Sequence, residues 1–168
     1  KYIQSPITII QNAECLHYNN IITSAKIYDI NESYQVFSCY SLSKYDTHLY
    51  QQNKLLKFNN IGANNDGDSA WYNHGTFRPS GYHFCSMIST NNLLTLNGFD
   101  ERYKFGIGFD DDEFLYRIKN SNFLTLVFND DGIALHQWHY SSGNIKNSSL
   151  VNRNRFLFAF ITKRKFNY

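Results

Sequence analysis

The chain has 168 residues, 42% of them hydrophobic, which suits one compact domain with a sizeable core and implies no second domain over 1–168. Its 16 Lys and Arg against 14 Asp and Glu leave a net charge of +2, spread along most of the sequence, so neither nucleic acid nor an anionic membrane surface is an expected partner. No stretch approaches the roughly 20 apolar residues of a membrane span, and "KYIQSPITII" lacks the cleavage pattern of a signal peptide, so a soluble cytoplasmic protein is expected.

In chain order, "ITIIQ" (Ile7 to Gln11) is a β-branched run suited to a buried strand, and polar "NAEC" ends it. "NNIITSAKIYDI" predicts a helix, and "SYQVFSCYSL" (Ser33 to Leu42) a second strand. Strand, helix, strand favours an α/β sheet with crossover connections. From Ser43 to Asn73 the periodicity dissolves, which predicts a functional lid or a disordered segment rather than scaffold. "GYHFCSMIS" reads as a strand, and "TNNLLTLNGF" as a short helix with Thr90 as N-cap and Gly98 as its left-handed C-terminal residue. "DDDEFLYRIKNSN" predicts a helix burying Phe114, Leu115 and Ile118. "FLTLVFND" and "GIALHQWH" read as two further strands, and "SSLVNRNRFLFAFITKRKF" as a helix whose end carries Lys163, Arg164 and Lys165. Cys15, Cys39 and Cys85 are far apart and match neither a disulfide framework nor a CxxC metal site, so reduced thiols are expected.

Two stretches carry polar chemistry. In "KFGIGFDDDEFLYRI" four acids, Asp110 to Glu113, follow glycines and open a helix. The helix dipole and unpaired N–H groups tolerate carboxylates there, but four exceed what capping requires. Glycines such as Gly108 let a ligand approach the backbone, and a crowded carboxylate at a loop-to-helix junction suits general base work. In "WYNHGTFRPSGYHFCS", Trp71 and His83 are candidates to frame a carbohydrate, aromatic faces packing on sugar C–H groups and polar edges on hydroxyls. Core packing is the alternative for each of those residues. A zinc site from His74, His83 and Cys85 fits no standard spacing.

The segment "LLTLNGFDERYKFGIGFDDDEFLYRI" resembles the acceptor-side motif of GT-A glycosyltransferases, above all inverting family 2 enzymes and the galactosyltransferase C-terminal region. "LNGFDERY" matches the first block, "GIGFDDDEF" the glycine and acid block, and Arg117 the closing arginine; Ile107 stands for the usual Trp and Phe109 for a Gly. The resemblance implies a GT-A mixed sheet flanked by helices, with Asp111 as catalytic base, Asp110 as acceptor ligand and Asp112 as second choice for the base. It also implies a "DxD" metal motif at a strand end, for which Asn12, Ala13 and Glu14 are the candidates: Asn12 to bond ribose or sugar hydroxyls, Glu14 to bind a divalent ion. The family often adds a histidine ligand beyond the acid helix. "GIALHQWHY" offers His136 and His139, which a strand would place on opposite faces, so one ligand is expected, His136 first and His139 second. Imidazole beside carboxylate suits Mn2+ or another transition ion, with Mg2+ the alternative. The implied substrates are a nucleotide sugar, a UDP-sugar by preference, and a carbohydrate or glycosylated acceptor.

In such enzymes a nucleotide-binding half precedes the metal motif, so the chain is expected to be the catalytic and acceptor part of a longer enzyme. Two rivals carry other predictions. A catalytically degenerate carbohydrate-binding or scaffold module would bind glycans without turnover, and a metal-dependent phosphodiesterase would cleave phosphate esters without a sugar acceptor.

Overall fold

The computed structural model of the protein describes residues 4–25, 28–62, 68–140 and 149–164. Six strands, β1 (Ile7–Gln11), β2 (Cys15–His17), β3 (Ser33–Ser41), β4 (Ala70–Asn73), β5 (Cys85–Ser89) and β6 (Thr125–His136), form one sheet in the order β1-β5-β3-β6-β2, with β4 also paired to β3. The β3–β6 pair is parallel and the others are antiparallel, so the sheet is mixed. Around it lie α1 (Ile21–Ala25), α2 (Lys44–Gln51), α3 (Thr90–Thr95), α4 (Asp110–Lys119) and α5 (Ser149–Arg164), with a 3-10 turn over Glu101–Phe105. The expected class, a mixed sheet flanked by helices, is what forms.

Every residue of β3 is buried, because both faces of this central strand are covered. Tyr34 and Val36 pack on Ile88, Leu93, Phe114 and Ile118, which α3 and α4 lay on one face. Phe37 and Cys39 meet Cys15, Ile21, Met87 and Ala134 on the other. Burying Phe114 and Ile118 contributes roughly 1.5–3 kcal/mol each and fixes where the acidic start of α4 stands. Cys15, Cys39 and Cys85 are all buried and free; burial pushes the Cys39 thiol up and the Cys85 thiol to about 12, so they serve as packing rather than nucleophiles.

Three expectations are corrected. The two strands read in "FLTLVFND" and "GIALHQWH" are one strand with a bulge: Phe37 faces Asn129, but Ser38 already faces Ile133. Gly132 is needed in the bulge because a Cβ there would strike the Phe37 ring, while Asp130 Oδ1 accepts from Ser38 Oγ at 2.7 Å and from the Gly75 amide at 2.8 Å. Both ends of the stretch read as a lid are scaffold. Ser43 caps α2, accepting from the Asp46 amide at 3.0 Å and donating to its carboxylate at 2.7 Å, and Ala70–Asn73 is β4. Residues 63–67 of it lie outside the described residues. The N-cap of α3 is Ser89, accepting from Asn92 N at 3.2 Å, rather than Thr90; Gly98 does adopt the left-handed conformation, φ +62°. Lys26, Ile27 and Lys165 also lie outside the described residues. Among those described, no helix is long and apolar enough to cross a membrane.

Candidate functional site

The loop before α4 turns sharply. Gly108 and Phe109 both adopt φ +68°, the left-handed region that suits Gly and strains Phe. Asn154 of α5, fully buried, holds this loop by donating to Tyr103 O at 3.0 Å and Gly108 O at 2.8 Å, and a Cβ on Gly106 would strike the same amide. The first turn of α4 is thereby presented at a fixed angle.

Its four acids divide their partners. Glu113 is buried and meets Arg117 through two bonds of 2.7 Å, while Arg117 also donates to the Leu96 carbonyl, so this acid ties α4 to α3. Asp112 Oδ1 accepts from the Tyr82 hydroxyl at 2.8 Å; burial first, then the adjacent carboxylate, push that phenol up to about 12. Asp111 Oδ1 lies 2.7 Å from His83 Nδ1, an ion-pair distance. Asp110 has no hydrogen-bond partner among the described residues and lines a cavity.

That cavity, of about 500 Å³, joins the acid helix to the end of β1. Antiparallel pairing of β1 with β5 sets Gln11 opposite Cys85, and the Asn12 amide donates to Phe84 O at 3.1 Å, which brings Asn12 alongside His83. Asn12, His83, Asp110, Phe99, Tyr103 and Lys104 line the space. Phe99 stacks on Phe114 with centroids 4.5 Å apart and His83 packs edge-on against Phe99 at 4.8 Å. Tyr103 is 4% exposed, and its hydroxyl is buried without a hydrogen-bond partner. An aromatic face beside amide, imidazole and carboxylate groups suits a hydroxyl-rich ligand.

Two residues past Asn12 lies a second cluster. The Asn12-to-Cys15 turn is closed by Cys15 N donating to Asn12 O at 3.0 Å, and β2 then sets Cys15 opposite His136. Gln137 donates to the Glu14 carbonyl through its backbone N at 3.2 Å and its Nε2 at 3.1 Å, so Glu14 is held over the end of β6. Its Oε1 lies 3.0 Å from His136 Nε2 and accepts from Asn12 Nδ2 at 3.3 Å. One donor atom each from Glu14, His136 and His139 falls within 4.8 Å of the others. Both histidines are therefore on one side, against the expectation of opposite faces: β6 ends at His136, and beyond it the chain no longer alternates. One carboxylate and two imidazoles at this spacing fit a divalent transition ion.

Electrostatics prepare the same ligands. Burial, opposed in part by Glu14, holds the His136 imidazole below its ordinary value, favouring the neutral, ligating form. Burial works to raise Glu14, but its own backbone hydrogen bond and the neighbouring His136 outweigh this and keep the carboxyl low. Ser41, Asp68, Tyr72 and Trp138 border a cavity of about 150 Å³ together with both histidines. Phe84, whose ring lies 6.2 Å from that of His136, follows His83 directly and joins the two clusters through the backbone.

The structure thus brings together Asn12, His83 and Asp110 at one cavity, with Asp111 on His83, and Glu14, His136 and His139 beside it. Trp71 is elsewhere. It is 4% exposed, its ring enclosed by Tyr40, Phe58, His74 and Phe77, so it braces the sheet and offers no face to a sugar. His74 Nδ1 accepts from the Thr76 amide at 3.0 Å, and among the described residues His74 joins no group of metal ligands with His83 and Cys85. Tyr82 and Tyr103, which the sequence did not single out, are the additions; only their adjacency to His83 and to the "FDER" block signals them. Comparison of the chain with protein-family models, with curated proteins and with solved structures found no match.

Proposed function

We propose that this chain is the catalytic and acceptor-side part of a GT-A type glycosyltransferase, moving a sugar from a nucleotide-sugar donor, by preference a UDP-sugar, to a hydroxyl acceptor with inversion. The observation that carries the reading is the adjacency of the two clusters. Asn12 lines a polar cavity with Asp110 and His83, while Glu14, two residues on, meets two histidines. Transfer from a diphosphate needs both a charge-neutralising centre and a base beside an acceptor pocket.

Glu14, His136 and His139 would hold a divalent ion, Mn2+ by donor chemistry, and such an ion supplies charge stabilisation to a leaving diphosphate. Asn12 offers its amide to donor hydroxyls and Asp110, unengaged by protein, accepts hydrogen bonds from the acceptor sugar. Asp111 provides the carboxylate on which the base for the acceptor proton depends. Asp112, engaged by Tyr82, is the poorer base.

The test is release of UDP from UDP-glucose, UDP-galactose and UDP-N-acetylglucosamine, each with manganese and a panel of free sugars. Turnover by wild type that falls by about 10²–10⁴ in Asp111→Asn supports the reading; equal rates remove Asp111 from the mechanism. The second reading, a glycan-binding module of the same fold, draws on Asn12, an amide where the metal motif has its first acid. It predicts retained glycan binding with no release from any donor.

A further inference from the structure

We infer that Asp111 works through His83, and that the imidazole Nε2 of His83 is the atom that takes the acceptor proton. This rests on the glycosyl-transfer reading above and deepens it. A bare carboxylate is a weak base at neutral pH, ordinarily near 4, whereas imidazole lies near 6.5 and so combines availability with greater basicity. The Asp111 carboxylate, 2.7 Å from His83 Nδ1, can only accept, which favours the tautomer with its proton on Nδ1. That tautomer leaves Nε2 with its lone pair. His83, not Asp111, is the member of the pair that lines the cavity with Asn12 and Asp110, and Nε2 is the only ring nitrogen left to meet a ligand there. Phe99 and Phe114 pack edge-on against the ring and hold its plane.

The step balances without a further reactant. The acceptor O–H bond breaks, its proton passes to His83 Nε2, and the oxygen lone pair forms the new bond to the anomeric carbon. The bond from that carbon to the diphosphate oxygen breaks, and its electron pair leaves on the diphosphate. His83 becomes an imidazolium, stabilised by Asp111, which keeps its charge and never takes the proton.

His83→Asn separates this from a passive role. Asn can place its amide N–H near the position of Nδ1, so Asp111 remains held, but nothing replaces Nε2. Measured as UDP release with manganese, the UDP-sugars and free-sugar acceptors above, His83→Asn is expected to lose about 10²–10⁴ of the wild-type rate. Asp111→Asn loses a comparable factor, and the double variant falls little further because the two act as a unit. His83→Asn within about threefold of wild type, with Asp111→Asn impaired, overturns the role of His83 and leaves the transfer reading standing. No release by wild type from any donor overturns the transfer reading and the proton step with it. Nitrogen-15 NMR of the His83 ring in the wild-type chain needs neither a folded variant nor turnover. A neutral ring protonated at Nδ1 that changes tautomer or ionisation in Asp111→Asn is expected, and a wild-type ring protonated at Nε2 contradicts the proposal.

Discussion

Glu113 and Glu101 belong to one stretch of sequence yet carry very different weight. The Glu113 side chain is 5% exposed and doubly bonded to Arg117, so Arg117→Ala strands a buried carboxylate and is expected to cost about 3–5 kcal/mol in urea unfolding. Glu101, 85% exposed, pairs with Lys104, and Lys104→Ala should stay within about 0.5 kcal/mol. Asp100 gives a pH signature. The Arg102 side chain, then the Arg102 amide, hold its carboxyl below the ordinary value against an opposing effect of burial. A lowered carboxylate stabilises the fold at pH values above the unfolded value and loses that contribution as pH falls below about 4 towards the folded value. Asn is an equally good N-cap, so Asp100→Asn changes only the charge. Its urea midpoint should lie below wild type at pH 7, with the gap narrowing at pH 3. For the proposed metal ligands, His139→Ala is expected to weaken manganese binding by at least about 100-fold in titration calorimetry.

At the level of elements, the glycine loop before α4 gives the sharpest prediction. A Cβ on Gly108 meets nothing within 4 Å, so crowding is absent, but φ is +68°, and Gly108→Ala should cost about 1–2 kcal/mol from backbone strain alone. What was legible in the sequence follows local rules. The β-branched run at β1, the apolar triplet of α4 and the Gly98 turn each carry their signal within a few residues and each forms, although β1 lies at the sheet edge with Ile7 and Ile9 exposed instead of buried as expected. What was not legible depends on distant partners. Asp130 looks like a strand end until Ser38 and Gly75 are found on its carboxylate, which is why β6 read as two strands. Trp71 has the composition of a sugar platform and becomes core only because β4 pairs with β3 and sets it against Tyr40. The shared side of His136 and His139 depends on where β6 stops, and the pairing with Ser41 and Cys15, not the local sequence, determines that.

Across the whole molecule, the fully buried β3 organises everything else: its parallel partner β6 ends in His136, and its antiparallel neighbour β5 carries His83 and Phe84 just ahead of its first residue. The link between the acid cavity and the Glu14, His136 and His139 cluster is thus a strand order, and the four acids, ambiguous as a string, acquire separate surroundings from it. Glu113 is structural, Asp112 is held by Tyr82, Asp111 faces His83 and Asp110 faces the cavity. The central claim, metal-assisted transfer from a nucleotide sugar, is tested most directly by the manganese dependence of UDP release in wild type and Glu14→Gln. The account predicts release that requires manganese in wild type and falls by at least about 100-fold in Glu14→Gln at the same manganese concentration. Release at the same rate without manganese, or unchanged in Glu14→Gln, would contradict it.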